Sequence, residues 1–357
     1  MDNMLGFALV GCGRIARKHA EVLHGGQVKD SRLVAVCDPV PERADAFAKA
    51  YGVPAFPDAH AMLRAMGDRI DVLNILTPSG HHARNAIELA PYGKHIVVEK
   101  PMALTLDDAD AMIRACDEAG VKLFVVKQNR FNPSVARLRE AFDAGRFGRL
   151  VMGTVRMRWR RDQSYYDQDA WRGTWAEDGG VFANQASHLI DLLEWFLGEP
   201  EAVYAAGRTA LVNIETEDTG VAVIRFRNGA LGVVEATTAS RPKDMEGSLT
   251  IMGEKGSVVV GGFAANEITT WAFAEETDSD RDVLDARTSP PDVYGFGHVA
   301  YLNNVVDSIR HGGKALVDGL EGRKSLELIS AMYESIFTRQ EVKLRFRAVR
   351  SPLGVRG

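Results

Sequence analysis

Cysteine is scarce: three residues in 357, Cys12, Cys37 and Cys116, set far apart. That spacing makes neither a disulfide framework nor a zinc ligand set, so no metal is expected and a reducing cytoplasm is the natural compartment. No apolar run approaches the ~20 residues that a membrane span needs. Basic excess is also missing. A net charge of −5 gives no footing for nucleic acid or an anionic membrane surface. The apolar stretch at residues 7–10 has no basic region before it and no cleavage-like segment after it, so it reads as a strand and not as a secretory signal. Internal repeats and low-complexity segments are absent. What is present is 46% hydrophobic and 25% charged residues, a globular composition with ample core, in a chain long enough for two domains.

Up to about residue 125, short apolar strands alternate with helical stretches. Strands are expected at 7–11, 32–38, 72–77, 95–100 and 122–127, and helices at 14–24, 41–51, near 81–90 and at 105–119. Near-continuous apolar strands of this kind belong to a parallel sheet covered on both faces. Pro41 opens its helix where a missing N–H costs nothing, and Thr105 caps a helix with Asp107 and Asp108 in its first turn.

After about residue 148 the texture changes. Residues 150–161 alternate, with Val151, Val155, Met157 and Trp159 on one side and Arg156, Arg158 and Arg160 on the other. Asn228-Gly229, and then Gly253 to Gly256, separate pairs of strand-like runs as hairpin turns do. Two helices, near 296–310 and 320–338, follow. Residues 275–292 read as an exposed loop, and the chain after about residue 346 as a loosely held tail. The strands alone leave Leu231, Val233 and Ile224 on an uncovered sheet face, too apolar for open water, so a dimer or tetramer is expected.

Gly11-Cys12-Gly13-Arg14-Ile15-Ala16 fits G-x-G-x-x-G/A and stands between a strand and a helix, the context that motif requires. Gly11 permits the tight turn, Gly13 lets backbone approach a pyrophosphate, and Ala16 lets helix pack on strand. Arg14 and Ile15 begin the helix, whose N-terminus offers amide donors and partial positive charge. Asp38 ends the second strand. A carboxylate there accepts both adenosine ribose hydroxyls and repels a 2′-phosphate, which favours NAD over NADP; Arg43 lies close enough to serve a phosphate, and Asp38 also suits a turn ahead of Pro39. Thr77-Pro78 and Glu99-Lys100-Pro101 end later strands and so open into the same crevice. His81 and His82 follow the first of them, as cofactor contacts or as surface imidazoles. Lys100 could polarise a substrate oxygen beside the nicotinamide or simply be a solvated lysine, and Pro101 turns the chain away, with a cis bond possible there.

These residues together resemble the Gfo/Idh/MocA oxidoreductases, along essentially the whole chain to about residue 346. The second signature of that resemblance is Gly179-Gly180, Asn184, His188 and Asp191-Leu192. Leu189, Leu192, Leu193 and Phe196 form the apolar stripe of its helix, while Asn184, His188 and Asp191, at i, i+4 and i+7, share another face. The resemblance implies an α/β fold with a Rossmann domain over 1–127, a C-terminal α+β domain with an open, largely antiparallel sheet over 128–346 for substrate and subunit contacts, and a tail over 347–357. It implies Lys100 and His188 as catalytic residues: His188 takes the hydroxyl proton, Lys100 orients the oxygen, and hydride passes to NAD. Cofactor contacts are expected from Gly11, Gly13, Arg14, Ile15, Asp38, Thr77, Pro78, His81, Glu99, Lys100 and Gln128. Inositol dehydrogenase-like members have an aspartate where this chain has Asn184, which argues against a plain inositol dehydrogenase.

Two stretches, 127–133 and 162–175, mix cations, amides and aromatics. That mixture suits an anionic polyhydroxylated ligand, and equally a subunit interface. From them Asn129, Arg130, Tyr165, Trp171 and Arg172 are expected, with Asn184, to bind substrate. They resemble the sugar-nucleotide branch of the family, the UDP-N-acetylglucosaminuronate 3-dehydrogenases of surface-polysaccharide (lipopolysaccharide) synthesis. That branch implies oxidation of a sugar C3 hydroxyl, and in several members 2-oxoglutarate as second oxidant. The arginine stripe would suit a diphosphate or uronate, or face water or another subunit. A free-sugar or polyol dehydrogenase and an NAD-dependent glycosidase are the competing functions.

Overall fold

The computed structural model describes residues 4–281, 283 and 297–344. Its first half runs β1 (Leu5–Val10), α1 (Arg14–His24), β2 (Ser31–Cys37), α2 (Pro41–Tyr51), β3 (Ala55–Phe56), α3 (Ala59–Met66), β4 (Val72–Ile75), α4 (His82–Leu89), β5 (His95–Val98), α5 (Leu106–Glu118) and β6 (Leu123–Val125). The six strands are parallel, in the order β3-β2-β1-β4-β5-β6. Phe7, Ala8 and Leu9 of β1 and Val72, Leu73 and Ile75 of β4 are wholly buried, as central strands with helices on both faces must be. Pro41 sits in the first turn of α2. Thr105 caps α5, its hydroxyl accepting from the Asp108 amide at 3.1 Å, with Asp107 and Asp108 in the first turn. The strand order reverses between β1 and β4, and a crevice opens beyond the C-terminal ends of the strands at such a reversal.

The second half runs α6 (Pro133–Asp143), β7 (Leu150–Arg158), α7 (Gln163–Tyr166), a π-helical turn (Val181–Gln185), α8 (Ser187–Leu197), β8 (Pro200–Arg208), β9 (Thr219–Phe226), β10 (Leu231–Thr237), β11 (Glu246–Gly253), β12 (Gly256–Gly261), β13 (Glu267–Phe273), α9 (Gly297–His311), α10 (Gly319–Thr338) and β14 (Val342–Lys343). Eight strands form one sheet, β13-β12-β11-β7-β10-β9-β8-β14. Only β7 and β10 pair in parallel; the other ladders are antiparallel. The apolar stripe of α8 covers one face, where Leu189, Leu192, Leu193 and Phe196 join Val155, Ile224 and Val234 in one core.

That packing corrects the expected open face. Ile224 is fully buried under α8. Its register partner is Gly232, whereas Val233 pairs with Val223, and Val223 with Tyr204. The uncovered face therefore carries Tyr204, Val221, Val223, Leu231 and Val233; with period-2 alternation a one-residue phase error moves a side chain to the opposite face. Val151 is likewise exposed, at the open end of β7, although Val155 and Met157 on the same side are buried. The last helices return to the first sheet: Tyr301, Leu302 and Val305 of α9 pack with Phe7, Leu9 and Phe124, and Leu326 of α10 packs with Val98 and Val125. Much of the expected 275–292 loop, and the whole 347–357 tail, lie outside the described residues. Among the described residues no helix is long and apolar enough to cross a membrane.

Candidate active site

The crevice at the strand reversal has a volume of about 920 Å³. Its inner end is the glycine loop. Gly11 has φ +100°, and a Cβ there would press to 3.0 Å from Leu76 O; a Cβ on Gly13 would meet nothing within 4 Å. Gly13 thus leaves an open cradle, and it precedes α1 as an N-cap without a side-chain cap. Backbone N–H groups there are free to receive a phosphate. Arg14 and Ile15 line the same space, as do Thr77, Pro78 and His81 from the β4 end. Asp38, also in the lining, spends one oxygen on the Cys12 amide (2.8 Å) and the other on the Val40 amide (2.9 Å). Asp38 thus braces the loop, as its turn reading expects, and places an acid beside it. An Asp38→Ala change should raise the KM for NAD by between about tenfold and a hundredfold and narrow its advantage over NADP, from loss of roughly 1.5–3 kcal/mol of charge-assisted hydrogen bonding. Parallel titrations with both cofactors check this.

Glu99 and Lys100 stand at the end of β5, and the Lys100–Pro101 peptide is cis. Glu99 lines the crevice, yet its carboxylate is engaged within the protein. One oxygen lies 3.1 Å from His19 Nε2, the other accepts from the Lys100 amide at 3.0 Å. Burial would raise its pKa, but hydrogen bonds from His19 and His298 outweigh that and hold the carboxyl well below its ordinary range. Asn74 donates to His19 Nδ1 (2.9 Å), which leaves Nε2 as the proton-bearing nitrogen facing Glu99. His82 does not reach the crevice lining; its ring nitrogens lie 2.8 Å from Pro101 O and Thr77 O, tying the two strand ends together. Lys100 reaches across the crevice and donates to Asn184 O (2.8 Å) and Asn184 Oδ1 (3.4 Å). Burial lowers its pKa, with Lys127 and Arg172 adding to the fall and Glu99 and Asp178 opposing it.

Asn184 belongs to the π-helical turn and His188 to the first turn of α8, so the expected single regular face is broken at Ala186. Both side chains nonetheless line the crevice. Gln128 also lines it, and its amide nitrogen donates to His188 Nε2 at 3.3 Å. The Nε2 edge of His188 thus faces Gln128 and the crevice, while Nδ1 is buried without a hydrogen-bond partner. Burial, then the Lys100 and Lys127 cations, push the His188 pKa well below its ordinary value. The outer wall is the 162–175 segment. Tyr165 OH accepts from Arg172 (2.7 Å) and Gln185 (3.0 Å). Arg161 and Arg172 lie over the Tyr165 ring at 5.2 and 4.6 Å, and Arg172 over Trp171 at 4.5 Å. Of the arginine stripe only Arg160 lines the crevice; Arg156 and Arg158 pair with Glu235 and Glu246 across the uncovered sheet face.

Three expectations are overturned. Asn129 is buried and does not line the crevice. Arg130 is 3% exposed; its guanidinium grips Asp191 with two bonds (2.8 and 2.9 Å), reaches Glu321 at 3.0 Å and stacks on Trp195. Asp191 is thus engaged by Arg130 and Lys127 and does not line the crevice that Asn184 and His188 line. Arg161 and Gln185 line the crevice as well and carry no sequence signal of their own. Both sit beside motif residues, but only the fold shows which way they face.

An NAD molecule fits these residues: an open glycine cradle, an uncapped helix start, and an acid at the end of β2. Comparison with known proteins agrees. A family model described as an oxidoreductase family with NAD-binding Rossmann fold matches residues 5–127, and one for the GFO/IDH/MocA C-terminal domain matches residues 135–259. The WlbA dehydrogenase from Bordetella pertussis, solved in complex with NADH and UDP-GlcNAcA, is 45% identical with a TM-score of 0.92, over 97% of this chain and 99% of its own. The WlbA dehydrogenase from Chromobacterium violaceum, solved with the same two ligands, is 44% identical with a TM-score of 0.91, over 98% of each chain. A scyllo-inositol 2-dehydrogenase (NAD(+)) of Bacillus subtilis is 27% identical over 354 residues, 96% of this chain and 97% of that protein.

Proposed function

This chain belongs to the Gfo/Idh/MocA oxidoreductases, a family of NAD-dependent dehydrogenases acting on alcohol carbons, and from that premise we propose that it oxidises the C3 hydroxyl of a UDP-N-acetylhexosaminuronate to a ketone. The observation that carries the substrate class is the charge of the crevice. Arg14, Arg17, Arg43, Arg160, Arg161 and Arg172 line it together with Lys100, against four carboxylates, in a chain whose net charge is −5. Arg14 and Arg43 stand at the cofactor end; Arg160, Arg161 and Arg172, at the outer wall, are cations that a neutral polyol has no use for and a diphosphate or a uronate does. Tyr165 and Trp171 add ring surface for the apolar faces of sugar or base. UDP-GlcNAcA is the first candidate because two similar dehydrogenases hold it in their structures.

The chain's own residues act on one hydroxyl. Lys100 spends two of its three ammonium protons on Asn184 and gives the third to the alcohol oxygen. His188 Nε2, whose lone pair faces the Gln128 amide in this structure, exchanges that donor for the substrate hydroxyl and takes its proton as the C–H bond breaks. NAD, when bound, supplies the acceptor for that hydride. Because its pKa lies well below the ordinary imidazole value, His188 is a neutral base across neutral pH. Turnover should therefore stay flat as pH falls through about 6.5 and decline only at lower pH, where the imidazole becomes charged. A kcat/KM profile checks this; an acid limb at or above the ordinary imidazole value would contradict it.

In this reading residues 1–127 hold the cofactor, and residues 128–346 hold the sugar nucleotide and a second copy of the chain through the uncovered sheet face, in a cytoplasmic homo-oligomer feeding lipopolysaccharide synthesis. 2-Oxoglutarate is the proposed second oxidant when NAD stays bound. The test is a panel of UDP-sugars and free sugars incubated with enzyme and NAD, with and without 2-oxoglutarate, and read by mass spectrometry. A 3-keto UDP-sugar supports the reading. Products from free sugars alone, or released alcohol without net NADH, would replace it with a polyol dehydrogenase or a glycosidase.

A further inference from the structure

Position 184 carries an amide, so the lysine has no carboxylate from that position. A carboxylate stands one side chain further back. Asp178 is 2% exposed. One of its oxygens accepts from the Gly173 amide at 2.7 Å, and the other accepts a short hydrogen bond from Asn184 Nδ2. Burial raises the Asp178 pKa, and the hydrogen bonds from Gly173 and Asn184, then the Arg172 and Lys100 charges, oppose that rise; as a carboxylate it only accepts, so it can hold only the NH2 end of the amide. That fixes Asn184 Oδ1 towards Lys100 Nζ. The ammonium is then gripped by both oxygens of one residue, with a single proton left for the crevice.

We propose that Asp178 is a positioning residue for the lysine, acting through Asn184: it sets the direction of the Asn184 amide and supplies the buried negative charge that an aspartate at position 184 would otherwise provide. The inference rests on the reading that Lys100 serves the reacting oxygen. Three features make it more than loop bracing. Asp178 touches the lysine's own hydrogen-bond partner. Its neighbours leave few other charges to do this work: Lys100 faces Glu99 and Asp178 as anions, and Lys127 and Arg172 as cations. Glu99, the larger of the two charges on Lys100, is committed to His19 and the Lys100 amide; Asp178 is the anion hydrogen-bonded to the ammonium's own partner, Asn184.

The test uses Asp178→Asn, Asn184→Asp and the swapped double variant. Asp178→Asn keeps an oxygen for the Gly173 amide, so the loop anchor survives, while its NH2, a donor only, pairs with Asn184 Oδ1 and turns the Asn184 NH2 towards Lys100. Two readouts are taken. One is the pH profile of kcat. The other is competitive acylation of Lys100, read by mass spectrometry against pH, which needs no substrate. Asp178→Asn is expected to lower kcat about tenfold or more, and to move both the alkaline limb and the Lys100 titration to lower pH by about one unit, the direction that loss of a nearby opposite charge gives. The swap should return the titration towards wild type and give a kcat several-fold above Asp178→Asn. An unchanged kcat and titration in Asp178→Asn would overturn the proposal. So would a lowered kcat with an unmoved titration and no rescue by the swap, which marks a loop brace only. If instead Lys100→Met keeps full turnover, the underlying reading fails, whatever the Asp178 variants do.

Discussion

Replacing Lys100 by methionine is expected to lower kcat by between about a hundredfold and ten-thousandfold, the range for loss of a positioned acid–base or polarising group, while NAD affinity changes little. Methionine keeps most of the side-chain volume, so the crevice wall stays filled. What disappears is the ammonium that bridges from the end of β5 to Asn184. Without it the alcohol oxygen loses its donor, and Asn184 loses the cation that its two oxygens face. The residues that would cradle the cofactor are Gly11 and Gly13, in the loop between β1 and α1, and Asp38, just after β2, and none has a contact with Lys100. Single-turnover kinetics together with an NAD binding titration separate the effects. A weakened NAD affinity with kcat retained would make Lys100 a cofactor contact and not a reacting-centre residue.

The second large effect is on stability. Arg130→Ala should cost about 3–5 kcal/mol, the usual penalty for removing one partner of a buried ion pair. Asp191 is 2% exposed, and its burial would raise its pKa; Arg130 and then Lys127 reverse that and hold it below the ordinary aspartate value. A depressed carboxylate stabilises the fold above its unfolded pKa, and that contribution fades as pH falls through the folded one. The loss in Arg130→Ala should therefore be full at neutral pH and shrink in acid, where the stranded Asp191 takes up a proton in both states. Denaturant unfolding at neutral and acidic pH checks the sign. The double variant Arg130→Met/Asp191→Leu should recover much of the stability, since an apolar pair leaves no orphaned charge. A rise in KM with unchanged stability would instead return Arg130 to the substrate.

Arg130 also marks where sequence reading stops. Cofactor residues were legible because the glycine loop is local: six consecutive residues carry the turn, the cradle and the helix start, and strand and helix on either side show in the apolar pattern. Lys100 was legible because it ends a parallel strand, and ligands gather at such ends. Arg130 looked like a ligand because it is a cation in a polar, aromatic-bearing segment. Its true partner, Asp191, is 61 residues away, and no local pattern ties the two. The π-helical turn was equally hidden. Regular i, i+4 spacing predicted one face for Asn184, His188 and Asp191, but the break at Ala186 turns the first two to the crevice and leaves the third beneath. On the second sheet the alternation of β9 was readable while its phase was not: whether Ile224 or Val223 faces α8 depends on the register with β10. Asp178 escaped notice because its significance lies in touching Asn184, a contact within a loop that has no periodicity to read.

The central claim is that hydride leaves the sugar carbon of a nucleotide-linked uronate and reaches NAD through the Lys100–His188 site. It is tested most directly with UDP-GlcNAcA deuterated at sugar C3, incubated with the enzyme and NAD, the recovered NADH being weighed by mass spectrometry. The account predicts NADH carrying one deuterium and a 3-keto sugar nucleotide that has lost it, both abolished by Lys100→Met. Unlabelled NADH, or labelled NADH formed as readily by Lys100→Met, would contradict it.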